Sequence, residues 1–389
     1  MTRMGGDDRY ARPVIETTWS RIAALRLERQ HLATRAPREA MVEVVRAHVA
    51  VQSQVIGSAE LAINARVEGM ARDEVRNALW RDRTLVKTWA MRGTLHLVAA
   101  DELPELVAAL GTRINWLRPL WLRYFEVTAQ EMLALQDGIG EVLSERPMTR
   151  AALGEALATK LGNPAFADRV TSSWGTFLKP AASRGYLCFG PDDGRNVTFV
   201  DPRAWLGREM PEPSETAIGA VILRHLAAFP GSSRGELARW WGVQGGAPLR
   251  KPLNGLGDRI AEVSAEGTKV LVCSEDVAEL ANIDPSTQVR LLPGFDPYTL
   301  SVQKEAESLL PLARRPLVSR TAGWISQVVL VGGAVVATWT HTIKKDRLAI
   351  DVVPWRRLTK QERAALDGET DRIGAFLGAR PDVTVGKPV

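Results

Sequence analysis

The spacing of apolar residues in the first third of the chain predicts helices followed by a pair of strands. Apolar side chains recur near the helical period over residues 38–51 and 55–67, and Asp73 is placed to cap a third helix through residue 79. Residues 85–99 form two strand-like runs with a turn at residues 92–93. Helices that end in a hairpin are the layout of a winged helix, in which the hairpin is the wing.

Two later stretches repeat this order of helices and strands. The second contains the turn sequence PDDGRN, and the third begins after the proline-rich linker MPEPSE. The predicted segments are helices at 129–143, 151–161 and 170–183 with strands at 185–190 and 197–200, then helices at 217–229 and 233–241 with strands at 260–263 and 268–272. The three stretches share no fixed sequence period, so their repetition is structural at most.

The pattern changes to short strands from residue 288 onward. Residues 288–300, 324–342 and 346–355 are strand-like, with Gly-Gly and Lys-Lys-Asp as turns, and a final helix is predicted at 360–377. We therefore predict an α+β chain of four domains. These are winged-helix units at 1–125, 126–209 and 210–284, then a small β-barrel or sheet with its C-terminal helix at 285–389.

Composition indicates a globular protein of a reducing compartment. Of its 389 residues 45% are hydrophobic and 24% charged, and two cysteines are too few for a disulfide framework. The charged N-terminus lacks the apolar core of a signal peptide, and the longest weakly polar stretch, residues 328–339, is too short to span a bilayer. We expect a cytoplasmic protein without a membrane segment.

The charge balance is compatible with a polyanionic partner. Lysine and arginine number 50 against 45 acidic residues, which gives a net charge of +5, and 40 of the 50 are arginines. A guanidinium presents a planar fork to phosphate and stacks on bases, which suits nucleic acid. A codon-composition bias towards arginine explains the same usage equally well.

The sequence lacks the motifs of the common hydrolases. None of its five histidines stands in an HExxH or beside a cysteine as a zinc deaminase requires, and there is no GxSxG, P-loop or dinucleotide-binding glycine pattern. This speaks against metal, serine and nucleotide hydrolases. We expect no metal and no cofactor.

Two glutamines stand out at the junction of the first two helical runs. Gln52 and Gln54 flank Ser53 among apolar neighbours, and a buried amide without a partner costs about 1–3 kcal/mol. If Gln52 begins a loop or a helix end, the two side chains can converge on one small ligand or water molecule. Local physics alone favours the simpler alternative, in which both amides cap neighbouring backbone groups.

Several sequence strings together resemble the AlkZ-type winged-helix DNA glycosylases. They are VQSQ at 51–54, TWAMRGTLHLVAADEL at 88–103, RWWG at 239–242, LLPGFDPYTL at 291–300 and TAGWISQVVLVGGAVVATW at 321–339. The resemblance extends over about residues 29–355. It implies three tandem winged-helix units and a small β-barrel in a C-shaped clamp on DNA, with excision of alkylated purines, including bulky adducts and interstrand crosslinks made by genotoxic natural products.

The catalytic motif of that family is Gln-Φ-Gln or Gln-Φ-Asp, where Φ is apolar. The resemblance thus assigns catalysis to Gln52 and Gln54, while Ser53 departs from the apolar middle position. A glutamine amide cannot act as a general base. An N7-alkylguanine or N3-alkyladenine already carries a positive charge, however, so it leaves without a general acid. The amides need only orient a water molecule and tolerate an oxocarbenium-like transition state.

Two hairpins are candidate DNA contacts. The candidate residues are Arg92, Thr94 and His96 in the first hairpin and His341, Thr342, Lys344, Lys345 and Arg347 in the second. The basic tip of the second can press into a minor groove and hold phosphates, although a solvated turn explains its lysines equally well. His341 is more often a structural histidine than a contact. We expect structural roles for Asp296, Trp89 and the pair Trp240-Trp241.

The leading interpretation is a monofunctional DNA glycosylase that acts, as a monomer, on cationic, bulky or crosslinked alkylpurines in double-stranded DNA. No lysine has the sequence context of a desolvated amine nucleophile, so we expect hydrolysis without strand cleavage. The rival is a non-catalytic winged-helix DNA-binding protein, either a regulator or a drug-sequestering resistance protein. A glycosylase for small methyl lesions alone is a third interpretation, and both a flipped base and an open cleft fit a large adduct.

Overall fold

The computed structural model describes residues 15–172 and 174–389, in which the elements form four consecutive groups. The charged N-terminal segment, which carries the expectation that no signal peptide is present, lies outside these residues. A strand and a helix come first, β1 (Ile15–Thr17) and α1 (Trp19–Arg29). The first group then contains α2 (Met41–Ala47), β2 (Val51–Gln52), α3 (Ile56–Asn64), α4 (Glu74–Trp80), β3 (Leu85–Trp89), β4 (Leu95–Ala99), α5 (Leu103–Gly111) and α6 (Pro119–Tyr124).

The second and third groups repeat the order of helices and strands. The second contains α7 (Ala129–Glu145), β5 (Met148–Thr149), α8 (Arg150–Leu161), α9 (Ala165–Ser172), α10 (Lys179–Ser183), β6 (Cys188–Asp193), β7 (Asn196–Val200) and α11 (Pro202–Leu206). The third contains α12 (Glu215–Ala228), α13 (Arg234–Trp241), α14 (Arg250–Asn254), β8 (Ile260–Ala265), β9 (Thr268–Cys273) and α15 (Val277–Asn282). The predicted helix at 170–183 is replaced by parts of α9 and α10, because Gly175 between them adopts the left-handed φ of +77°.

Sequence signals at the helix ends explain several boundaries. Thr128 and Thr359 each begin a capping box, in which the hydroxyl accepts from the backbone of the glutamate three residues on and that carboxylate accepts from the cap. The long helices α7 and α18 (Lys360–Leu377) start at these points. Gly378 ends α18 in the left-handed conformation, which glycine adopts without a side-chain penalty.

Each of the first three groups contributes a three-stranded sheet. The strand orders are β2-β4-β3, β5-β7-β6 and β1-β8-β9. The predicted hairpin over residues 85–99 is confirmed, and so are the strand pairs of the two later stretches. The sequence pattern did not predict β1, which pairs in parallel with β8 so that Ile15 lies opposite Val263. The third sheet is therefore completed by a segment from before the first group.

The last group is a five-stranded sheet with one helix packed against it. Its elements are β10 (Val289–Leu292), α16 (Pro297–Ser301), α17 (Arg315–Val318), β11 (Gln327–Val331), β12 (Ala334–Lys344), β13 (Arg347–Pro354), α18 (Lys360–Leu377) and β14 (Arg380–Val385). The strand order is β10-β11-β12-β13-β14, antiparallel except for the parallel pair β13 and β14. The helix α18 connects this parallel pair, as a crossover must.

The predicted small barrel is therefore a curled half-barrel, and this corrects the expectation of a closed one. Within the described residues β10 and β14 are the two outer strands of the sheet and do not pair with each other. Leu366, Ile373 and Phe376 of α18 pack into the same core as Leu291 of β10 and Leu348 of β13. The helix α18 thus packs against both outer strands of the sheet. The mixed α+β class is confirmed.

A buried ion pair joins the first group to the last. Arg66 donates to both carboxylate oxygens of Asp296, at 2.7 and 2.8 Å, and both side chains are almost wholly buried. The same guanidinium donates to His48 Nε2 at 3.0 Å and to Gln30 Oε1 at 3.3 Å. Gln30 in turn donates to the carbonyl of Ala228 in the third group. One guanidinium thus connects α1, the residues before β2, the third group and the last group.

Asp296 is structural, as expected. Besides Arg66 it accepts from the backbone N–H of Tyr298 at 2.9 Å, which caps α16. Within residues 15–172 and 174–389, none of the helices combines the length and apolarity that crossing a bilayer requires.

The variant Asp296→Asn is expected to lower the free energy of unfolding by about 3–5 kcal/mol, because Arg66 would remain buried without its counter-charge. Urea denaturation measures this change. Glu215→Gln, which breaks the exposed pair of Glu215 with Lys251, is the control and is expected to change stability far less. Equal stability of the two variants would show that the buried pair does not hold the groups together.

Candidate functional site

The two glutamines lie at a strand-to-helix junction in the first group. Gln52 ends β2, which pairs with β4 so that Gln52 lies opposite His96. The chain leaves the strand at Ser53, whose N–H still donates to the Leu95 carbonyl at 2.7 Å. The helix α3 begins a few residues later, at Ile56. The motif therefore stands at the end of a short strand rather than inside a helix.

Different donors hold the two amide groups. Arg92 Nη2 donates to Gln52 Oε1 at 2.6 Å, and the backbone N–H of Leu95 donates to Gln54 Oε1 at 3.4 Å. Gln52 is buried, whereas Gln54 is exposed. Each amide oxygen has a second lone pair, and each NH₂ group can donate. The two side chains can therefore still bind a water molecule or a polar ligand.

Ser53, between the two glutamines, belongs to the buried interior of the protein. Its side chain is fully buried, and its hydroxyl has no hydrogen-bond partner among the described residues. The middle position of the motif thus belongs to the core, although a hydroxyl occupies it here.

The turn that carries Arg92 packs against the third group. Arg92 adopts a left-handed φ of 57°, and Gly242, at the end of α13, has a φ of +87°. A Cβ on Gly242 would lie 2.9 Å from both the Cα and the backbone nitrogen of Arg92. The Arg-Trp-Trp-Gly string therefore ends in glycine where the first and third groups meet. This contact supports the residue that holds Gln52.

Burial sets the charges around Gln52. Burial, with a smaller effect of Arg239, lowers the pKa of Arg92 to about 10, so the guanidinium is charged at neutral pH. Burial and the charge of Arg92 lower the pKa of His96 to about 3. His96 is therefore neutral, and its Nδ1 lies 2.9 Å from the carbonyl oxygen of Thr94. Glu236, which pairs with Arg239 at 2.6 Å, lines the same pocket as Gln52, so the site combines charged groups of both signs with neutral hydrogen-bonding groups.

The first hairpin does not extend as an open wing at this turn. The side chains of Arg92 and Thr94 are half-buried, and His96 is 2% exposed. The turn is covered because the end of α13 packs on it at Gly242. DNA contacts by these three residues remain predictions, and the structure places Arg92 beside Gln52 instead.

The second hairpin, formed by β12 and β13, has an exposed basic tip. Thr342, Lys344, Lys345 and Arg347 are exposed, and Arg347 pairs with Asp382 at 3.2 Å. His341 is half-buried at the base of the hairpin, where its Nδ1 lies 2.9 Å from Gln327 Nε2. Its ring lies 5.5 Å from that of Trp339. The base of the hairpin is therefore fixed, while its tip is accessible.

The sequence predicts a DNA contact for Arg92 but does not indicate that Arg92 holds Gln52. The position of Arg92, 40 residues beyond Gln52, gives no local signal, because only the pairing of β2 with β4 brings the two together. Among the described residues there is no cluster of three or more histidine, cysteine, aspartate or glutamate side chains that could hold a metal ion.

Comparison with known proteins shows the family of this chain. The family model described as DNA glycosylase AlkZ-like matches residues 45–376, so the chain belongs to this family. The family resemblance inferred from the motifs is confirmed, and the protein is a DNA glycosylase enzyme.

A relative and a solved structure, both from Streptomyces sahachiroi, illustrate the relationship. One, described as an interstrand DNA cross-link repair glycosylase, is 36% identical over 330 residues, which cover 84% of this chain and 88% of the relative. The other is the solved structure of Streptomyces sahachiroi DNA glycosylase AlkZ, with a TM-score of 0.87 at 33% identity. That match covers 96% of this chain and 100% of the solved chain.

The variant Gly242→Ala is expected to slow base release by at least about tenfold, because the new methyl group would displace Arg92 and with it the amide of Gln52. Single-turnover release of a damaged base from duplex DNA measures this effect. Gly245→Ala is the matched control, since Gly245 also has a positive φ but its Cβ would meet nothing within 4 Å. Equal losses in both variants would contradict a specific role for the contact with Arg92.

Proposed function

We propose that this DNA glycosylase is monofunctional and hydrolyses the N-glycosidic bond of cationic alkylpurines in double-stranded DNA, including bulky and crosslinked lesions. The arrangement of two neutral amides around one strand end, with Arg92 fixing Gln52, carries this proposal. The crosslink-repair description of the Streptomyces sahachiroi relative supports the extension to crosslinks. Resistance to an alkylating natural product is the corresponding biological role, with the enzyme acting as a monomer.

In the proposed reaction the damaged base leaves with the bonding electrons. An N7-alkylguanine or N3-alkyladenine carries a positive charge, so cleavage of the C1′–N bond neutralises the base and leaves the charge on the sugar. Gln54, aided by Gln52, orients a water molecule against C1′. The water oxygen bonds to C1′, and the released proton passes to solvent. The amides lower the barrier through their dipoles and by positioning the water, without taking up the proton.

DNA binding is proposed to use the exposed hairpin tip and the helix-and-sheet groups. Lys344, Lys345 and Arg347, with Thr342 beside them, present donors that suit phosphates or a minor groove, and His341 stands at the base of the same hairpin. The first three groups act as winged-helix units in this proposal. Because the Gln54 amide is exposed, a bulky adduct can reach it in an open cleft.

Gln54→Ala is expected to slow base release by about 100-fold or more, the usual loss when a preorganised polar group of a transition state is removed. The assay uses a duplex with one N7-methylguanine and, in parallel, a duplex with an N7-linked interstrand crosslink, and it quantifies the free base. Gln130→Ala changes an exposed glutamine on α7 and is expected to retain full activity.

The same assay separates the alternatives. Full release by a Gln52→Ala, Gln54→Ala double variant would refute the proposed catalytic role. Tight DNA binding by the unaltered protein without any release would favour the non-catalytic DNA-binding alternative. Activity on methylated but not on crosslinked DNA would restrict the enzyme to small lesions.

The rate of base release is expected to change little between about pH 5 and pH 7, since the two amides, His96 and Arg92 keep their charge states there. Amides do not ionise, His96 with a pKa of about 3 stays neutral, and Arg92 with a pKa of about 10 stays charged. Single-turnover rates, corrected for spontaneous release, test this. A sigmoidal rise centred in that range would instead reveal a titrating general base.

A further inference from the structure

A cavity of about 330 Å³ lies beside the turn that holds Arg92. The first two groups supply most of its lining, and three tryptophans are among the residues that line it. Arg92, Arg113 and Lys179 also line it, and the described lining contains no acidic residue. An aromatic wall reduces hydration, so it makes charges without counter-ions more costly there.

The three cations have few compensating partners. The Lys179 ammonium forms no hydrogen bond or ion pair with any described residue, and burial lowers its pKa. Arg113 stacks on the Trp241 ring at 4.1 Å and donates to the Trp241 carbonyl, but its Nε is buried without a partner in the described part of the chain. Arg92 donates to the neutral Gln52. An anion is therefore the ligand that this cavity lacks within the protein itself.

The cavity shares Arg92 with the site of the glutamines. Arg92 lines it and holds Gln52. A Cβ on Gly93 would lie 3.6 Å from Lys179 Cδ and 3.8 Å from its Nζ, so the lysine lies along this turn. Two residues later the N–H of Leu95 holds Gln54. The turn that borders the cavity at Arg92 and Gly93 is thus the turn whose residues hold both amides.

We infer that Lys179, together with Arg92 and Arg113, binds a backbone phosphate of the lesion strand immediately next to the damaged nucleotide. The inference rests on the proposed function and names a contact for its substrate. Each strand of duplex DNA carries one phosphate for about every 3.4 Å of rise along the helix axis. A lesion whose sugar faces the glutamines therefore brings a phosphate of its own strand close to this cavity. Ammonium and guanidinium groups are the donors that phosphate oxygens accept most strongly.

This phosphate also resolves an electrostatic conflict in the site. A cationic base and an oxocarbenium-like sugar are both disfavoured by the positive charge of Arg92 beside Gln52. A bound phosphate neutralises part of that charge and keeps Arg92 oriented towards Gln52. Lys179 is therefore a positioning residue, which couples capture of the DNA strand to the orientation of the amide.

The test removes the charge from each side of the contact in turn. Full-length protein is assayed for base release on duplexes with one N7-methylguanine, in which each phosphate flanking the lesion is replaced singly by neutral methylphosphonate. The unaltered enzyme is expected to lose about tenfold in kcat/KM at one of these positions. Lys179→Gln is expected to lose about tenfold on unmodified DNA and clearly less than tenfold further at that same position, where Arg92 and Arg113 still contact the phosphate, whereas Lys179→Arg restores activity.

Lys160→Gln, which changes the exposed partner of Glu141 in the second group, is the matched control and is expected to behave like the unaltered enzyme. The inference would be overturned if the loss from Lys179→Gln and the loss from the methylphosphonate multiplied at every phosphate position. It would also be overturned if none of the methylphosphonates slowed the unaltered enzyme. Binding to undamaged duplex at several salt concentrations adds a readout that needs no base release, and Lys179→Gln should lower the salt slope by about one. An enzyme with that binding change but no release of any base would contradict the proposed function and leave the phosphate contact supported.

Discussion

The buried pair of Arg66 and Asp296 is the constraint on which the arrangement of the four groups depends. Neither charge has access to water, so each is tolerated only while the other and the surrounding acceptors remain in place. Arg66 also donates to His48, four residues before Gln52, and to Gln30 at the end of α1. Because Asp296 belongs to the last group, the position of the glutamine junction relative to the half-barrel is determined by hydrogen bonds with directional geometry rather than by apolar packing alone.

Arg92 extends that constraint to the reacting groups. Its left-handed turn is supported by Gly242 of the third group, its guanidinium holds Gln52, and it lines the cavity that contains Lys179. A single residue of the first group is thus in contact with the third group, the proposed catalytic amide and the proposed phosphate contact. A small displacement of the third group against the first would therefore move Arg92 and with it the amide of Gln52, the proposed catalytic residue.

The proposed reaction requires little chemistry from the protein, which agrees with the composition of the site. A cationic purine is an activated leaving group, so neutral amides are sufficient partners for a water molecule. The histidines nearest to them are neutral: burial and Arg92 lower the pKa of His96 to about 3, and burial lowers the pKa of His48 and of His225. In the proposed reaction, the preorganised amide dipoles of Gln52 and Gln54 replace the general base that most hydrolases use.

The sequence by itself determined the local elements and the family. Periodicity and turn residues predicted the hairpin over 85–99, the basic tip at Lys344 and Lys345 and the helix α18, because capping boxes, alternation and turn propensities act over a few neighbouring residues. Tertiary structure alone decided that β1 completes the third sheet, that α18 packs against both outer strands of the last sheet, and that Arg92 turns inward to Gln52. These outcomes depend on contacts between distant segments, and no local pattern encodes which distant partner will neutralise a charge or cover a turn.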